Sequence, residues 1–491
     1  MRERLLKLLM GGIFLFITLA FPGGPDTLWT EEYGGYYAEY GYSIVQTFEG
    51  NYIVVGITES YGAGGFDIFV IKLSNDGNVV WTKTYGGPND DIGRSVIQNT
   101  DGSYVIVGKK NNYGTTYDDV WLLKLNAMGD TLWTRCYGGN HNEIGYEVQQ
   151  TSDGGYIIVG ATRSFGSGVP TYTNGYLIKT DANGDTLWTR VFGDTLLVDD
   201  YGLSVKQTYD GGYIICGCSG LHPQFDLYLV KTNNNGDVLW ARKYGGSGQE
   251  IGYSIIESNG NYIVAGYTNS YGPNPSNYYL LKIGQNGDTI WTKVYDGGGD
   301  EHAYSIQNTS DGGYIIAGFT WQPVYGDDFY LVKINANGDS IWTKIYPRAY
   351  HSDVPYQIQQ TDDNGYIIVG YTNYWGFGKL RGYEQIYVVK TLPDVGIDEE
   401  ISSSKKIFLK IRPNPVVDGA MIESYIPQKC ITNIEVYNIL GQKIKTITEK
   451  IENPGIYRIM WDGRDEHKNN VSQGIYFIYC NGEGKKIVKI R

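Results

Sequence analysis

Residues 252–295 read GYSIIESNGNYIVAGYTNSYGPNPSNYYLLKIGQNGDTIWTKVY. Four short runs rich in Ile, Val, Tyr and Trp lie in this stretch. One begins at Gly252-Tyr253-Ser254, one is Tyr262–Gly266, one ends in Lys282, and one closes on Trp291. Branched and aromatic side chains suit a pleated, packed surface. Asn259-Gly260 and Asn286-Gly287 supply the turn chemistry between runs. The stretch therefore reads as four consecutive antiparallel strands, with no helical period.

The same unit recurs. Its Trp stands at 29, 81, 133, 188, 240, 291 and 342, at spacings of 51–55 residues. Its second run recurs at Tyr52–Gly56, Tyr104–Gly108, Tyr156–Gly160, Tyr213–Gly217, Tyr314–Gly318 and Tyr366–Gly370. Its third ends in Lys72, Lys124, Lys179, Lys231, Lys333 and Lys390. A fixed period of this length marks an array of one supersecondary unit. Four strands per unit predict an all-β fold, a seven-bladed β-propeller; a β-solenoid would have shorter repeats. A Trp strand, Asp26–Thr30, comes first, and the last unit stops at Thr391 after three strands. Two arrangements satisfy this pattern. Either Trp29 completes the last blade and closes the ring, or each blade starts with its Trp strand.

With 491 residues, the chain suits two folded domains plus a leader. Arg2, Arg4 and Lys7 precede an apolar run from Leu8 to Phe21, the pattern of a secretory signal peptide over 1–21. The run is shorter than the ~20 residues that span a bilayer, so no transmembrane segment is expected after cleavage. The propeller is expected over 24–391, a polar linker over 392–406, and a second domain over 407–491. The protein is expected to be a secreted monomer. A net charge of −13 without a basic stripe excludes nucleic acid as a natural partner. Of five cysteines, Cys136, Cys216 and Cys218 read as buried free thiols, and Cys430 and Cys480 as a possible pair in an oxidising compartment.

The C-terminal segment carries Pro413-Asn414-Pro415, Tyr437-Asn438-Ile439-Leu440-Gly441-Gln442, Trp461-Asp462-Gly463-Arg464-Asp465, Gly474-Ile475-Tyr476-Phe477 and a terminal Lys485–Arg491. In order and spacing it resembles the C-terminal sorting domain of type IX secretion substrates and the related flagellar hook-capping Ig-like domain. The resemblance covers about 85 residues. It implies a small Ig-like β-sandwich, the secretion machinery as partner, and delivery to the outside or the surface of a Gram-negative-type bacterium. The residues themselves also read as a small sandwich, with alternating strands, glycine turns and a single Trp for the core.

Seven acids precede the first strands: Glu39, Asp91, Glu143, Asp200, Glu250, Glu301 and Asp353. If that strand is innermost, they ring one mouth of an axial channel. Such a ring suits calcium or, with two acids 5–10 Å apart, a glycosidase or lyase. The alternative is that each acid accepts hydrogen bonds from its own turn, which buried amides require; no cofactor is then needed. Asp181-Ala182-Asn183-Gly184-Asp185 begins like a calcium loop, but Phe192 stands where a bidentate Glu belongs, so a hairpin turn is expected. His141, His302 and His351 fall in loops before first strands without a metal-binding spacing. No nucleophile elbow, phosphate loop or dinucleotide fingerprint occurs in a matching context.

The loops between second and third strands vary in length and carry Tyr61, Tyr113, Phe165, Tyr271, Trp321, Tyr325, Tyr374 and Trp375. Aromatic rings on variable loops of a rigid scaffold suit recognition of a glycan or protein. The sequence thus supports a binding module first. A carbohydrate-active enzyme and a structural spacer or adhesin are the alternatives.

Overall fold

The computed structural model describes residues 23–111, 117–166, 171–193, 198–322, 326–348, 351–374, 383–394, 409–412, 420–426, 430–439, 442–451, 455–480 and 483–489. The leader expected over 1–21 and most of the linker expected over 392–406 lie outside them. The chain divides into two compact units at Gly396/Ile397.

Among the described residues the first unit consists of seven four-stranded antiparallel sheets. The first runs Glu39–Gln46, Tyr52–Thr58, Asp67–Leu73, Val79–Tyr85, in that order from one edge to the other. Each first strand touches the first strands of both neighbouring sheets, so these seven are the innermost elements of a ring. Second and third strands are buried on both faces, because each sheet packs between two others. Their sequences are therefore continuous apolar runs, without the alternation of a half-exposed sheet. The outer strand keeps one face in water and does alternate. Seven apolar cores lie between adjacent sheets. One joins Ile44, Val54, Phe69 and Ile71 of the first blade to Val369, Ile386 and Val388 of the last.

The last blade settles the two arrangements left open above. Its sheet is ordered Thr27–Tyr33, Gln385–Thr391, Tyr366–Tyr374, His351–Gln360. The first strand of the chain thus supplies the outer strand of the last blade, with Trp29 opposite Lys390 and Tyr33 opposite Ile386.

Repeated contacts explain the repeated residues. The Trp of one blade meets the buried Tyr of the next, with ring centroids 5.9–6.2 Å apart at Trp29–Tyr52, Trp133–Tyr156, Trp188–Tyr213 and Trp342–Tyr366. A Tyr at the end of the outer strand donates its hydroxyl to the turn glycine of the next blade, as in Tyr33 to Gly77 O (2.6 Å) and Tyr295 to Gly338 O (2.6 Å). The last blade lacks that turn, and Pro25 O accepts from Tyr346 instead (2.7 Å). Lys72, Lys179, Lys231, Lys333 and Lys390 of the third strands are buried and pair with an acid in the turn before the second strand, as in Lys179–Asp153 and Lys231–Asp210, both 2.9 Å. In the fifth blade Asn259 stands in that turn, and Lys282 donates to Ala336 O instead.

The second unit has a three-stranded sheet (Leu409–Arg412, Ala420–Ile426, Gly455–Trp461) and a four-stranded one (Lys443–Ile451, Cys430–Asn438, Gly474–Cys480, Glu483–Lys489). They share a core of Ala420, Ile422, Ile434, Val436, Trp461 and Ile478. Trp461 is fully buried, and its indole donates to Arg464 O at 3.1 Å.

Cys216 and Cys218 are buried thiols, but Cys136 is exposed, because it sits on the water-facing side of an outer strand. This corrects the expectation of burial for Cys136. The side chains of Cys430 and Cys480 lie outside the described residues.

Deleting Asp26–Thr30 removes the outer strand of the last blade and leaves Gln385–Thr391 as an open edge. Thermal unfolding should shift down by about 5–10 °C. A point change at an exposed outer-strand position, Leu239→Ser, should leave the transition within about 1 °C.

Candidate functional site

The starts of the first strands, the loops between second and third strands, and the loops from each outer strand to the next blade share one face. The register shows this, since Glu39 pairs with Thr58 at the end of the second strand. The inner strands start earlier than the sequence suggested. Glu39, Glu143, Glu250 and Glu301 are their first residues, and His302 lies inside a strand, not in a loop.

All seven acids are buried, at 0–1% exposure. Glu39 Oε1 accepts from the Thr58 hydroxyl (2.8 Å) and Ser60 N (3.2 Å), and Oε2 from Gly35 N and Gln385 Nε2 (both 2.9 Å). Glu143 and Glu250 repeat this pattern with Thr162, Ser164 and Gly139, and with Thr268, Ser270 and Gly246. Asp91 accepts from Gly87 N (2.7 Å) and Asn111 N (3.1 Å). These carboxylates tie turns together, in place of the solvent-facing ring that an ion or substrate at the channel mouth would need.

Most of these acids also face one of the first residues of the preceding blade's third strand. At four joints that residue is acidic: Asp67 toward Asp91, Asp119 toward Glu143, Asp226 toward Glu250, and Asp328 toward Asp353. At the first three a glycine fills the gap, and a Cβ built on Gly86 would stand 1.8 Å from Asp67 and 2.8 Å from Asp91; at the fourth Pro347 and Arg348 stand there. At a fifth joint the facing residue is Gln385, which donates to Glu39. Asn174 and Asn277 begin the equivalent strands at the remaining two. Burial, with Asp67 nearby, pushes Asp91 up. Burial pushes Asp328 to about 6. Burial drives Asp353 to about 7; Arg348, 3.9 Å away, opposes the shift, and Asp328 adds to it. Burial also raises Glu301 to about 7.

Among the described residues no group of three or more His, Cys, Asp or Glu is placed to hold a metal ion. The Asp181 segment is a hairpin turn: Asp181 Oδ1 accepts from Asn183 N and Asp185 N, both at 2.8 Å, and Gly184 has φ +78°. The three histidines do not converge. His302 stacks on Tyr267 (3.8 Å, 4°), where burial lowers it to about 4; His351 bonds Thr372, and His141 lies against Tyr117.

The aromatic loop residues divide. Tyr61 and Tyr271 pack on Phe69 and Tyr279, and their hydroxyls donate to Gly34 O and Gly245 O at 3.0 Å. They brace their own loops. Trp321 is 45% exposed, and Tyr374 packs against His351. Tyr113, Tyr325 and Trp375 lie outside the described residues.

Sequence reasoning passed over another group on this face. Tyr36 (80% exposed), Tyr37 (45%) and Tyr383 (42%) form a mutual cluster, with centroids 5.5, 5.6 and 6.3 Å apart. Tyr37 is held from both sides, as its N–H donates to Ser60 Oγ (2.7 Å) and its carbonyl accepts from Gln385 (3.1 Å). The available signal was a departure from the repeat: Tyr-Tyr follows Gly-Gly here, where other copies carry Pro-Asn, Asn-His or Ser-Gly.

Residues 410–490 match the family model described as the secretion system C-terminal sorting domain. A curated relative is an uncharacterised WD repeat-containing protein of Acanthamoeba polyphaga mimivirus, 20% identical over 58% of this chain and 30% of its own length. The chain thus spans under a third of that relative. Similar solved structures include a protein of unknown function from Dyadobacter fermentans (11% identity, TM-score 0.42, 75% of this chain and 99% of that one). Others are Sqt1 of Chaetomium thermophilum (9%, 0.44, 77% and 100%) and the β-propeller domain of the Trilobed protease of Pyrococcus furiosus (9%, 0.42, 75% and 100%). The chain is a β-propeller with a type IX sorting domain, secreted or held at the surface of a Bacteroidetes-type bacterium. Among the described residues no helix is long and apolar enough to cross a membrane.

The two kinds of joint predict opposite responses. Glu39→Gln places an amide among four donors and should lower stability by about 1–2 kcal/mol. Asp353 holds its proton in the folded state between about pH 4 and 7, whereas the unfolded chain releases it. Its contribution is full below about pH 4 and is lost as pH rises through about 7. Asp353→Asn should therefore match the parent near pH 5 and exceed it by about 2 kcal/mol at pH 8, read from denaturant unfolding at both values.

Proposed function

We propose that the secreted propeller is a binding module for a glycan or protein, and that its loop-bearing face carries the contact. The exposed cluster of Tyr36, Tyr37 and Tyr383 supports this reading most directly. Three rings held within 6.3 Å of one another in water expose apolar faces that folding does not need. Such rings stack on sugar faces or anchor a protein partner, and Tyr loses little entropy on contact. Trp321 and Tyr374 stand on the same face and extend the proposed surface toward the last two blades. The buried carboxylates fit a binding module better than a hydrolase, since a general acid must reach its substrate.

The test is binding of the full chain to glycan and protein arrays, followed by titration of the best ligand. The double variant Tyr36→Ala/Tyr37→Ala should weaken binding at least tenfold while moving thermal unfolding by under about 2 °C. Undiminished binding would place the contact elsewhere, and the absence of any ligand would favour a spacer or adhesin. Removing 407–491 should leave a folded propeller retained within the cell envelope, as fractionation in a host with type IX secretion would show.

A further inference from the structure

Every inner strand carries a bulge. The register slips at Gly41/Ser43, Gly93/Ser95, Gly145/Glu147, Gly202/Ser204, Gly252/Ser254, Ala303/Ser305 and Pro355/Gln357. A bulge frees one residue from the ladder and re-aims its side chain. The seven freed residues are Tyr42, Arg94, Tyr146, Leu203, Tyr253, Tyr304 and Tyr356. Since the inner strands surround the axis, these residues meet there. Tyr253, Tyr304, Tyr356 and Tyr42 follow one another at 4.8, 5.4 and 5.0 Å between centroids, and the Arg94 guanidinium lies 4.3 Å over Tyr42. All seven are only partly buried by contact with solvent, yet burial raises the phenols, Tyr146 to about 12. They line an axial bore that solvent reaches.

Arg94 is the one cation among the seven. Its Nε is buried and makes no hydrogen bond, and among the described residues it has no ion-pair partner. The acid on the next inner strand, Glu147, is committed to Lys206 and to Val205 N. A tyrosine face offsets part of the cost of an enclosed guanidinium. The guanidinium also meets the Tyr42 hydroxyl, but its buried Nε–H has no acceptor, and a buried polar group without a partner is costly.

We propose that the bore is an oxyanion site, in which Arg94 and the surrounding phenol hydroxyls take a single carboxylate or sulfate group, as carried by an acidic sugar. A planar guanidinium matches either group through two N–H donors. The site is separate from the Tyr36–Tyr37–Tyr383 cluster and stands without it.

The experiment is thermal unfolding and calorimetric titration of the full chain with sodium glucuronate, sodium sulfate and neutral glucose, against chloride at matched ionic strength. Glucuronate or sulfate should raise the transition saturably, and glucose should not. Preference for glucuronate identifies a sugar acid as the source, and preference for sulfate a free or esterified sulfate. Arg94→Leu and Arg94→Tyr copy residues that other blades carry at this position, so the ring accommodates them. Both should weaken anion binding at least tenfold, whereas Tyr36→Ala should leave it unchanged. Equal anion shifts in parent and Arg94 variants, or no saturable shift with either anion, would overturn the proposal.

Discussion

The innermost strand of each blade is a sheet edge, and its outward amides have no strand to pair with. Buried unpaired amides are expensive. The ring answers with side chains: Ser43 Oγ accepts from Val96 N, Ser95 from Val148, Glu147 from Val205, Ser204 from Ile255, Ser254 from Ile306, Ser305 from Ile358, and Gln357 from Ile44. The seventh bond returns to the first blade. A second tier lies toward the far ends of these strands, where Gln46, Gln98, Gln150, Gln207 and Gln360 accept from turn amides of the preceding blade. Seven otherwise separate sheets are thereby held at one spacing. The apolar cores between them then have a defined gap to fill.

The same logic governs the face that carries the loops. At Glu39, Glu143 and Glu250 the acid heading the inner strand gathers amide and hydroxyl donors from two turns, which orders the loops above it. Where the neighbouring strand begins with Gln385, the arrangement is complementary. Where Asp328 occupies that place, two carboxyls are buried together and neutral pH works against them. The chain tolerates this tension at the joint between the sixth blade and the last, which the strand Thr27–Tyr33 completes. Loop order and joint strain are thus set by one column of residues and its partner column.

The fold was legible because repetition exposes it. Trp and Lys recur at one spacing since each copy makes the same contact, Trp to the next blade's Tyr and Lys to its turn acid. The surplus of one Trp strand at the start left two closures open, and only the pairing of Thr27–Tyr33 with Gln385–Thr391 decided between them. The role of the carboxylates was harder to read. Their partners, such as Asp67 and Asp328, follow loops of variable length and escape alignment. Tyr61 and Tyr271 read as recognition residues from their loops, but each hydroxyl is bound to a backbone carbonyl within the scaffold. Tyr36 and Tyr37 carried the opposite lesson, since they break the repeat where no packing contact asks for an aromatic ring. The bulge residues were visible as a column of Tyr, yet their convergence on an axis is a property of the closed ring.

The closing strand gives the chain a particular order of assembly. Thr27–Tyr33 is made first and pairs with Gln385–Thr391, so more than 350 residues separate the partners. Contacts that distant form late, after the entropy of a long loop has been spent. Six blades can be built from local hairpins as the chain lengthens, but the seventh waits for both ends. The segment that completes it is followed within twenty residues by the start of the sorting domain. The strand that receives Thr27–Tyr33 and the sorting domain thus both lie in the last quarter of the chain, and a chain interrupted before Gln385 would lack both.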